Sequence, residues 1–174
     1  MPELIAPTVR LRTSFLAALA EFRTDRDHPV PWFVTDVDPP ALTDAVAFAI
    51  YVSRVLSERT EAAARTDVFV PMTTLWWAED EQMLGRLAIR HRLTPALEKA
   101  GGHIGYDVRP SARRQGHATA MLAAALPLAR SLGITQALLT CDETNAASQR
   151  VIEANGGRFI DMAGHKLRYR VPTS

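Results

Sequence analysis

The stretch that decides the fold is residues 101–119, GGHIGYDVRPSARRQGHAT. Within it, residues 103–108 alternate apolar side chains with others, which is the period-two pattern of a β-strand. Gly105 lies inside this strand, and an interior glycine often marks a bulge or a close approach by another molecule. Pro110 ends the strand because proline has no backbone N–H to donate. The stretch therefore predicts a short strand that leads into a basic turn.

A helix is predicted directly after the turn. Its apolar residues recur on one face, and they are Ala118, Met121, Leu122, Ala125, Leu126, Ala129 and Leu132. The first turn of a helix presents unpaired amides, which together with the helix dipole form an anion site. Gly116 lets a phosphate approach the backbone, and Arg113 and Arg114 add positive charge. The simpler alternative is a helix start with two solvated arginines, and these residues by themselves leave both interpretations open.

Two standard phosphate-binding loops are absent from this stretch. It lacks GxxxxGK[ST], and it lacks the three glycines of GxGxxG. Ligands of open α/β sheets bind at the carboxyl ends of strands, where the chain direction switches. The turn at residues 113–118 lies at one such end, so it is an expected ligand site.

The turn resembles a motif of a known family. Arg113-x-x-Gly116-x-Ala118 after a strand is similar to the [QR]-x-x-G-x-[GA] motif of the GNAT superfamily of acyl-CoA N-acyltransferases. Residues 141–157, CDETNAASQRVIEANGG, resemble the N-x-x-[AS]-x-x-[VL]-[YI]-E-x-x-G-[FG] segment of the same family. The two motifs cover residues 101–160, and their amino-acid sequences are similar to those of a bacterial branch of predicted acetyltransferases. The resemblance over residues 1–65 is weak.

The resemblance implies an N-acetyltransferase that moves the acetyl group of acetyl-CoA to a primary amine. It implies that the turn's amides hold the pyrophosphate of acetyl-CoA, and that the backbone of the preceding strand holds the pantetheine arm and polarises the acetyl carbonyl. The cofactor-binding residues that follow from it are Gly105, Tyr106, Val108, Arg113, Arg114, Gln115, Gly116, His117, Ala118, Thr119, Asn145 and Ser148.

One position departs from the family pattern. Many members have a tyrosine in the last helix that protonates the leaving sulfur, and the matching position here is Ile152 or, alternatively, Val151, neither of which can donate a proton. Tyr106 on the key strand is the candidate for this general acid, with an ordinary core tyrosine as the alternative. His103 is the candidate base because its pKa lies near neutrality, with a plain surface histidine as the alternative. Cys141 is expected to be a small core residue, because a cysteine nucleophile needs a base beside it.

The N-terminal half predicts two helices around a long loop. One starts near Thr13, where Thr13 or Ser14 is placed to cap it, and the other runs from about residue 42 to 64. The resemblance implies that this region walls the acceptor site. The candidate wall residues are Trp32, Phe33, Phe48 and Tyr51, and ordinary core aromatics remain the alternative for each.

The strands follow in the second half of the chain. Residues 68–78 and 82–91 predict a hairpin, residues 134–140 a buried parallel strand, and residues 158–161 and 166–171 a closing pair. Adjacent side chains of a strand point to opposite faces, so Trp76 and Trp77 cannot share one role. The fold class expected is α/β, with a mixed, mostly antiparallel central sheet flanked by helices, as in the GNAT acyltransferase fold.

The composition indicates one folded domain over residues 1–174. The chain is 47% hydrophobic and 22% charged, which is enough apolar surface for a core. The net charge of +1 argues against a nucleic-acid partner, which would require phosphate neutralisation. One cysteine excludes an intrachain disulfide, and without a CxxC pair no metal site is predicted.

Neither a membrane helix nor a signal peptide is predicted. No segment approaches about 18 consecutive apolar residues, and MPELIAPTVRLR lacks the apolar core of a signal peptide. We therefore expect a cytoplasmic protein without a membrane partner. Since many members of the resembling family pair, a homodimer is a further expectation.

Three functional hypotheses follow. The leading one is the acetyl-CoA-dependent N-acetyltransferase, whose acceptor is a small molecule, a peptide end or a lysine. The second is a non-catalytic sensor of acyl-CoA with the same fold, which the isoleucine at position 152 favours. The third, a nucleotide-binding module, is disfavoured because both nucleotide fingerprints are missing.

Overall fold

The computed structural model describes residues 1–61 and 69–174. Its helices are α1 Arg12–Thr24, α2 Trp32–Thr35, α3 Ala45–Ser57, α4 Pro95–Lys99, α5 His117–Ser131 and α6 Ala146–Ala154. Its strands are β1 Glu3–Ile5, β2 Met72–Glu79, β3 Gln82–Arg90, β4 Ile104–Val108, β5 Gln136–Asp142, β6 Arg158–Ala163 and β7 Lys166–Pro172. The expected end of the second helix and the first residue of the next strand, Val68, lie outside the described residues.

The strands form two antiparallel sheets flanked by helices, which confirms the α/β fold class. One sheet has the order β1-β2-β3-β4 and the other the order β5-β7-β6. The prediction of a parallel strand at residues 134–140 is wrong. β5 pairs antiparallel with β7 along its whole length, from Gln136↔Pro172 to Asp142↔Lys166. The closing hairpin thus offers β5 a complete edge, which sequence periodicity cannot show.

The two sheets are joined where β4 begins. The His103 amide donates to the Leu138 carbonyl at 2.7 Å, and the Leu138 amide donates to Nδ1 of His103 at 2.9 Å. Gly102 makes this approach possible, because a Cβ there would lie 2.3 Å from the Leu138 carbonyl oxygen. No β4–β5 ladder continues beyond this point in the described ranges. The turn before α5 therefore follows strand β4, which separates from β5 after this contact.

The first sheet carries a core on each face. Trp76 packs with α1 and α3 in one core, and Trp77 packs with α5 and β5 in the other. This confirms that the two tryptophans have separate roles. The cap prediction is wrong: a 3-10 turn at residues 9–11 runs directly into α1, and Ser14 Oγ instead accepts from the Met83 amide at 2.8 Å. Within the described ranges, no helix is long and apolar enough to cross a membrane.

Candidate active site

The first turn of α5 leaves backbone amides open, as expected for an anion site. Gly116 is the N-cap with φ 82°, a left-handed conformation that glycine adopts without strain. The first helical hydrogen bond runs from the Ala120 amide to the Gly116 carbonyl at 3.1 Å. The amides of residues 116–119 precede that bond and have no acceptor within the helix. A Cβ on Gly116 would meet nothing within 4 Å, so the approach to these amides is clear.

The two arginines of the turn have different surroundings. Arg113 donates to Asp25 Oδ2 at 2.5 Å and to the Val108 carbonyl at 3.2 Å. This hydrogen bond from Arg113 lowers the pKa of Asp25, although desolvation of the carboxyl opposes it. Arg114 is exposed and has φ 64°. Arg113 thus ties the turn to the end of α1, and Arg114 supplies charge at the surface.

Tyr106 lies on the face of β4 that α6 covers. Its hydroxyl is 2.7 Å from Ser148 Oγ, and the Ser148 amide donates to Asn145 Oδ1 at 3.0 Å, which caps α6. Burial raises the pKa of Tyr106 to about 12, so the hydroxyl keeps its proton at neutral pH. Burial also raises the pKa of Cys141, against a hydrogen bond with Ser148. The structure therefore brings together three of the expected site residues, Tyr106, Ser148 and Asn145, in one hydrogen-bonded group.

The structure does not bring His103 to that cluster. Nδ1 of His103 accepts from the Leu138 amide, so its lone pair is occupied. Burial lowers the pKa of His103, and the charges of Arg170 and Arg90 lower it further. The imidazole is thus a neutral group that joins the two sheets. Its side chain and that of Tyr106 point to opposite faces of the strand.

His117 and Thr119 also have partners in the fold. Nε1 of Trp77 donates to Nδ1 of His117 at 3.2 Å, which fixes the ring at the start of α5. Nδ2 of Asn155 donates to the Thr119 carbonyl at 3.3 Å and to the Val151 carbonyl at 2.9 Å. Asn155 therefore links the first turn of α5 to the last turn of α6. Sequence reasoning missed Trp77 because it is distant in the chain.

Gly105, Gln115 and Ile152 complete the set of expected positions. A Cβ on Gly105 would meet only Arg90 Nη1, at 3.9 Å, so one side of β4 is open there. Gln115 Nε2 donates to the Ser111 carbonyl at 3.3 Å. Ile152 is 1% exposed in the core and carries no proton donor. The family position for the acid is thus part of the packing of α6.

A cavity lies on the opposite face of the sheet, beneath α2 and α3. Its enclosed volume is about 10 Å³, which is room for about one water molecule, and the space reaches about 260 Å³ when the open mouth is counted. Of the expected wall residues, Trp32, Phe33 and Tyr51 line it, whereas Phe48 is fully buried in the core. Arg86 also lines it, and sequence reasoning missed this residue. The signal was present in β3, where a charge occupies an inward position among apolar neighbours.

Comparisons with known proteins identify the family and the fold of the chain. Residues 9–158 match the Acetyltransferase (GNAT) domain family. The RimL ribosomal L7/L12 alpha-N-protein acetyltransferase in complex with coenzyme A is 18% identical, with a TM-score of 0.66 and coverage of 98% of this chain and 93% of that chain. Mycobacterium smegmatis RimJ in complex with CoA-disulfide is 19% identical, with a TM-score of 0.66 and coverage of 97% and 80%.

A third structure is more distant in sequence. The PaiA N-acetyltransferase from Thermoplasma acidophilum in complex with coenzyme A is 12% identical, with a TM-score of 0.59 and coverage of 99% of both chains. No curated protein matches the chain. At these identities the solved structures establish the shared fold, and the domain match covers most of the chain. The protein therefore belongs to the GNAT family of acetyltransferases, which confirms the acyltransferase prediction.

Proposed function

We propose that this protein transfers the acetyl group of acetyl-CoA to a primary amine. The observation that carries the proposal is the open first turn of α5, which follows the strand that leaves β5. Unpaired amides and the helix dipole favour an anion there, and the pyrophosphate of acetyl-CoA is the anion that a GNAT family member uses. The structural neighbours RimL and PaiA are both solved with coenzyme A, which supports this choice.

We assign the cofactor contacts by position. The amides of residues 116–119 hold the pyrophosphate, and Arg114, Gln115 and His117 surround it. The backbone of Gly105, Tyr106 and Val108 holds the pantetheine arm along the free edge of β4. Asn145 and Ser148 close the other side from α6. We infer that residues 1–174 work as one domain, because cores on both faces of the first sheet contribute to the site.

Tyr106 is the proposed general acid. The neutral amine attacks the acetyl carbonyl, the carbon–sulfur bond breaks, and the thiolate takes the proton of the Tyr106 hydroxyl. Ser148 Oγ, 2.7 Å away, can return a proton to the tyrosine from solvent. The proton lost by the amine leaves to water. Positioning of the two reactants supplies much of the remaining acceleration.

The second candidate is a sensor that binds acyl-CoA without turnover, and the observation that favours it is the core isoleucine at position 152. Release of free thiol from acetyl-CoA with a panel of primary amines separates the two. The proposal expects amine-dependent thiol release together with an acetylated amine detected by mass spectrometry. Tight acetyl-CoA binding with no acetylated product from any amine of the panel would favour the sensor.

A further inference from the structure

The cavity beneath α2 and α3 contains a buried charge without a hydrogen-bonded partner in the described residues. Arg86 is 4% exposed, and among the described residues its guanidinium makes no hydrogen bond and no ion pair. Its Cζ lies 4.9 Å from the ring centroid of Trp32 and 5.1 Å from that of Phe33. The rings stabilise the positive charge, but they do not satisfy the five N–H donors.

The neighbouring acids do not fill this role. At the mouth of the cavity, Arg54 already pairs with Asp36 at 3.4 Å and with Glu58 at 3.2 Å. Asp107 lies directly across from Arg86 in the β3–β4 register, yet no ion pair joins the two side chains in the described part of the chain. Burial raises the pKa of Asp107, and the charges of Arg86 and Arg113 oppose this rise, so Asp107 attracts Arg86 without a direct hydrogen bond to it.

A second buried polar group faces the same space. Thr74 lines the cavity and is 4% exposed, and its hydroxyl has no hydrogen-bond partner in the described residues. Buried polar groups are nearly always paired in native proteins, and an exception points to an absent ligand or water. A guanidinium and a hydroxyl that share one cavity form a donor set for a small planar anion.

Additional positive charge comes from Arg90, four residues further along β3 and on the same face. Arg90 donates to the carbonyls of Gly101 and Gly102 at 3.3 and 3.1 Å, so it is held in place. Burial lowers the pKa of Arg90, and the charge of Arg86 lowers it further. The two arginines repel each other, and an anion in the cavity would relieve this repulsion.

We propose that Arg86 and Thr74 bind the carboxylate of the acceptor, so that the substrates are amines that also carry a carboxylate group. This inference rests on the proposed acetyl transfer and names its acceptor class. The planar fork of arginine matches a carboxylate with two parallel hydrogen bonds, and the threonine hydroxyl donates a third. The carboxylate enters through the open mouth of the cavity, beside Trp32, which is 45% exposed.

The first experiment compares matched acceptors. Thiol release is measured with amino carboxylates of increasing chain length, among them γ-aminobutyrate, and with alkylamines such as butylamine, in which a methyl group replaces the carboxylate. The wild type is expected to prefer the best amino carboxylate by about 100-fold in kcat/KM, as for loss of a buried charged hydrogen bond. A ratio near one, or a stronger preference for an aminoalkyl phosphate, would overturn the carboxylate assignment.

Arg86→Met then tests the residue. It is expected to abolish the preference, so that γ-aminobutyrate and butylamine are acetylated with about equal kcat/KM. Arg130→Met, an exposed arginine on α5 with the same loss of charge, is the control and is expected to keep the preference. If Arg86→Met does not fold, Thr74→Val provides the test, because it keeps the shape and is expected to lower the preference about fivefold. Retention of the full preference in either variant contradicts the proposal.

A binding measurement separates this inference from the proposed function. If no amine is acetylated, the acetyl-transfer proposal fails, but the cavity is still tested by the Tm with millimolar γ-aminobutyrate and coenzyme A. A rise in Tm for the wild type that is lost in Arg86→Met supports the carboxylate site. The absence of any rise, in a protein that does acetylate alkylamines, rejects the site and leaves the function intact.

Discussion

The two faces of the four-stranded sheet differ in how their polar groups are paired. On the face covered by α5 and α6, Tyr106 is bonded to Ser148 and Trp77 to His117. On the face covered by α1 and α3, the Arg86 guanidinium stacks on Trp32 and Phe33 but makes no hydrogen bond in the described residues, and the buried Thr74 hydroxyl has no partner there. The polar side chains on the face assigned to acetyl-CoA are thus fixed before binding, whereas the face assigned to the acceptor keeps side-chain donors for a group that arrives later.

This difference has a consequence for recognition. Preorganised groups lower the ordering cost of binding, which suits a cofactor that every turnover requires. Buried donors that stay unpaired penalise any acceptor that cannot satisfy them, and such sites discriminate strongly. We infer that affinity for the acyl donor comes mainly from the α5 side and acceptor choice mainly from the α3 side.

The largest effect is expected when the acetyl-CoA site at the start of α5 is blocked. Gly116→Val puts a branched side chain over the open amides and is expected to weaken acetyl-CoA binding by about 100-fold, as for the loss of one or two charged hydrogen bonds. Gly133→Val is the matched control, since Gly133 has φ 85° and also has nothing within 4 Å of a Cβ. Both variants carry the same backbone strain, so equal affinities in a fluorescence titration would refute the assignment of the turn.

The next effect concerns the ordered hydroxyl cluster. Tyr106→Phe is expected to lower kcat by about 100-fold, a typical contribution of general acid catalysis, with little change in the KM for acetyl-CoA. Tyr169→Phe is the control, because Tyr169 is a buried tyrosine of the same core. With its pKa raised to about 12, Tyr106 stays protonated, so the wild-type rate should show no alkaline loss from this group below about pH 11. An unchanged kcat in Tyr106→Phe would remove it from the mechanism.

The smallest effect tests the contact that holds the turn before α5 to the end of α1, which is the Arg113–Asp25 ion pair. The Arg113 hydrogen bond lowers the pKa of Asp25, so the stabilisation exists above the unfolded pKa of about 3.9 and is lost as pH falls through the folded value. Asp25→Asn is therefore expected to lower Tm by about 2–4 °C at pH 7 and to have little effect near pH 2. Asp27→Asn, at an exposed neighbouring position, is the control. An equal loss at both pH values would exclude the ion pair as the cause.

The sequence allows the face assigned to acetyl-CoA to be predicted much better than the face assigned to the acceptor amine. Residues close in the sequence determine the turn around Gly116 and the apolar face of α5. They also determine that Trp76 and Trp77 point to opposite faces of β2. The partner of β5 could not be predicted, because the choice between β4 and β7 is made by contacts distant in the chain. The stacking of Arg86 beneath Trp32 depends on a similar contact, between residues 54 positions apart.

Some expected residues have a different setting from the one their sequence suggests. Arg113 belongs to the anion motif, yet its guanidinium is held by Asp25 and by the Val108 carbonyl. His103 has a near-neutral reference pKa, yet its Nδ1 joins the two sheets. Both residues position the site through the backbone, and a sequence pattern does not distinguish such a role from direct contact with a ligand.

The most direct test of the central claim is a calorimetric titration of the wild-type protein with acetyl-CoA, with dephospho-CoA and ATP as comparison ligands. We expect one molecule of acetyl-CoA per chain, retained binding of dephospho-CoA, and no competition from ATP. Absence of acetyl-CoA binding, or ATP binding of equal strength at the same site, would contradict the assignment of the α5 turn to the acyl donor.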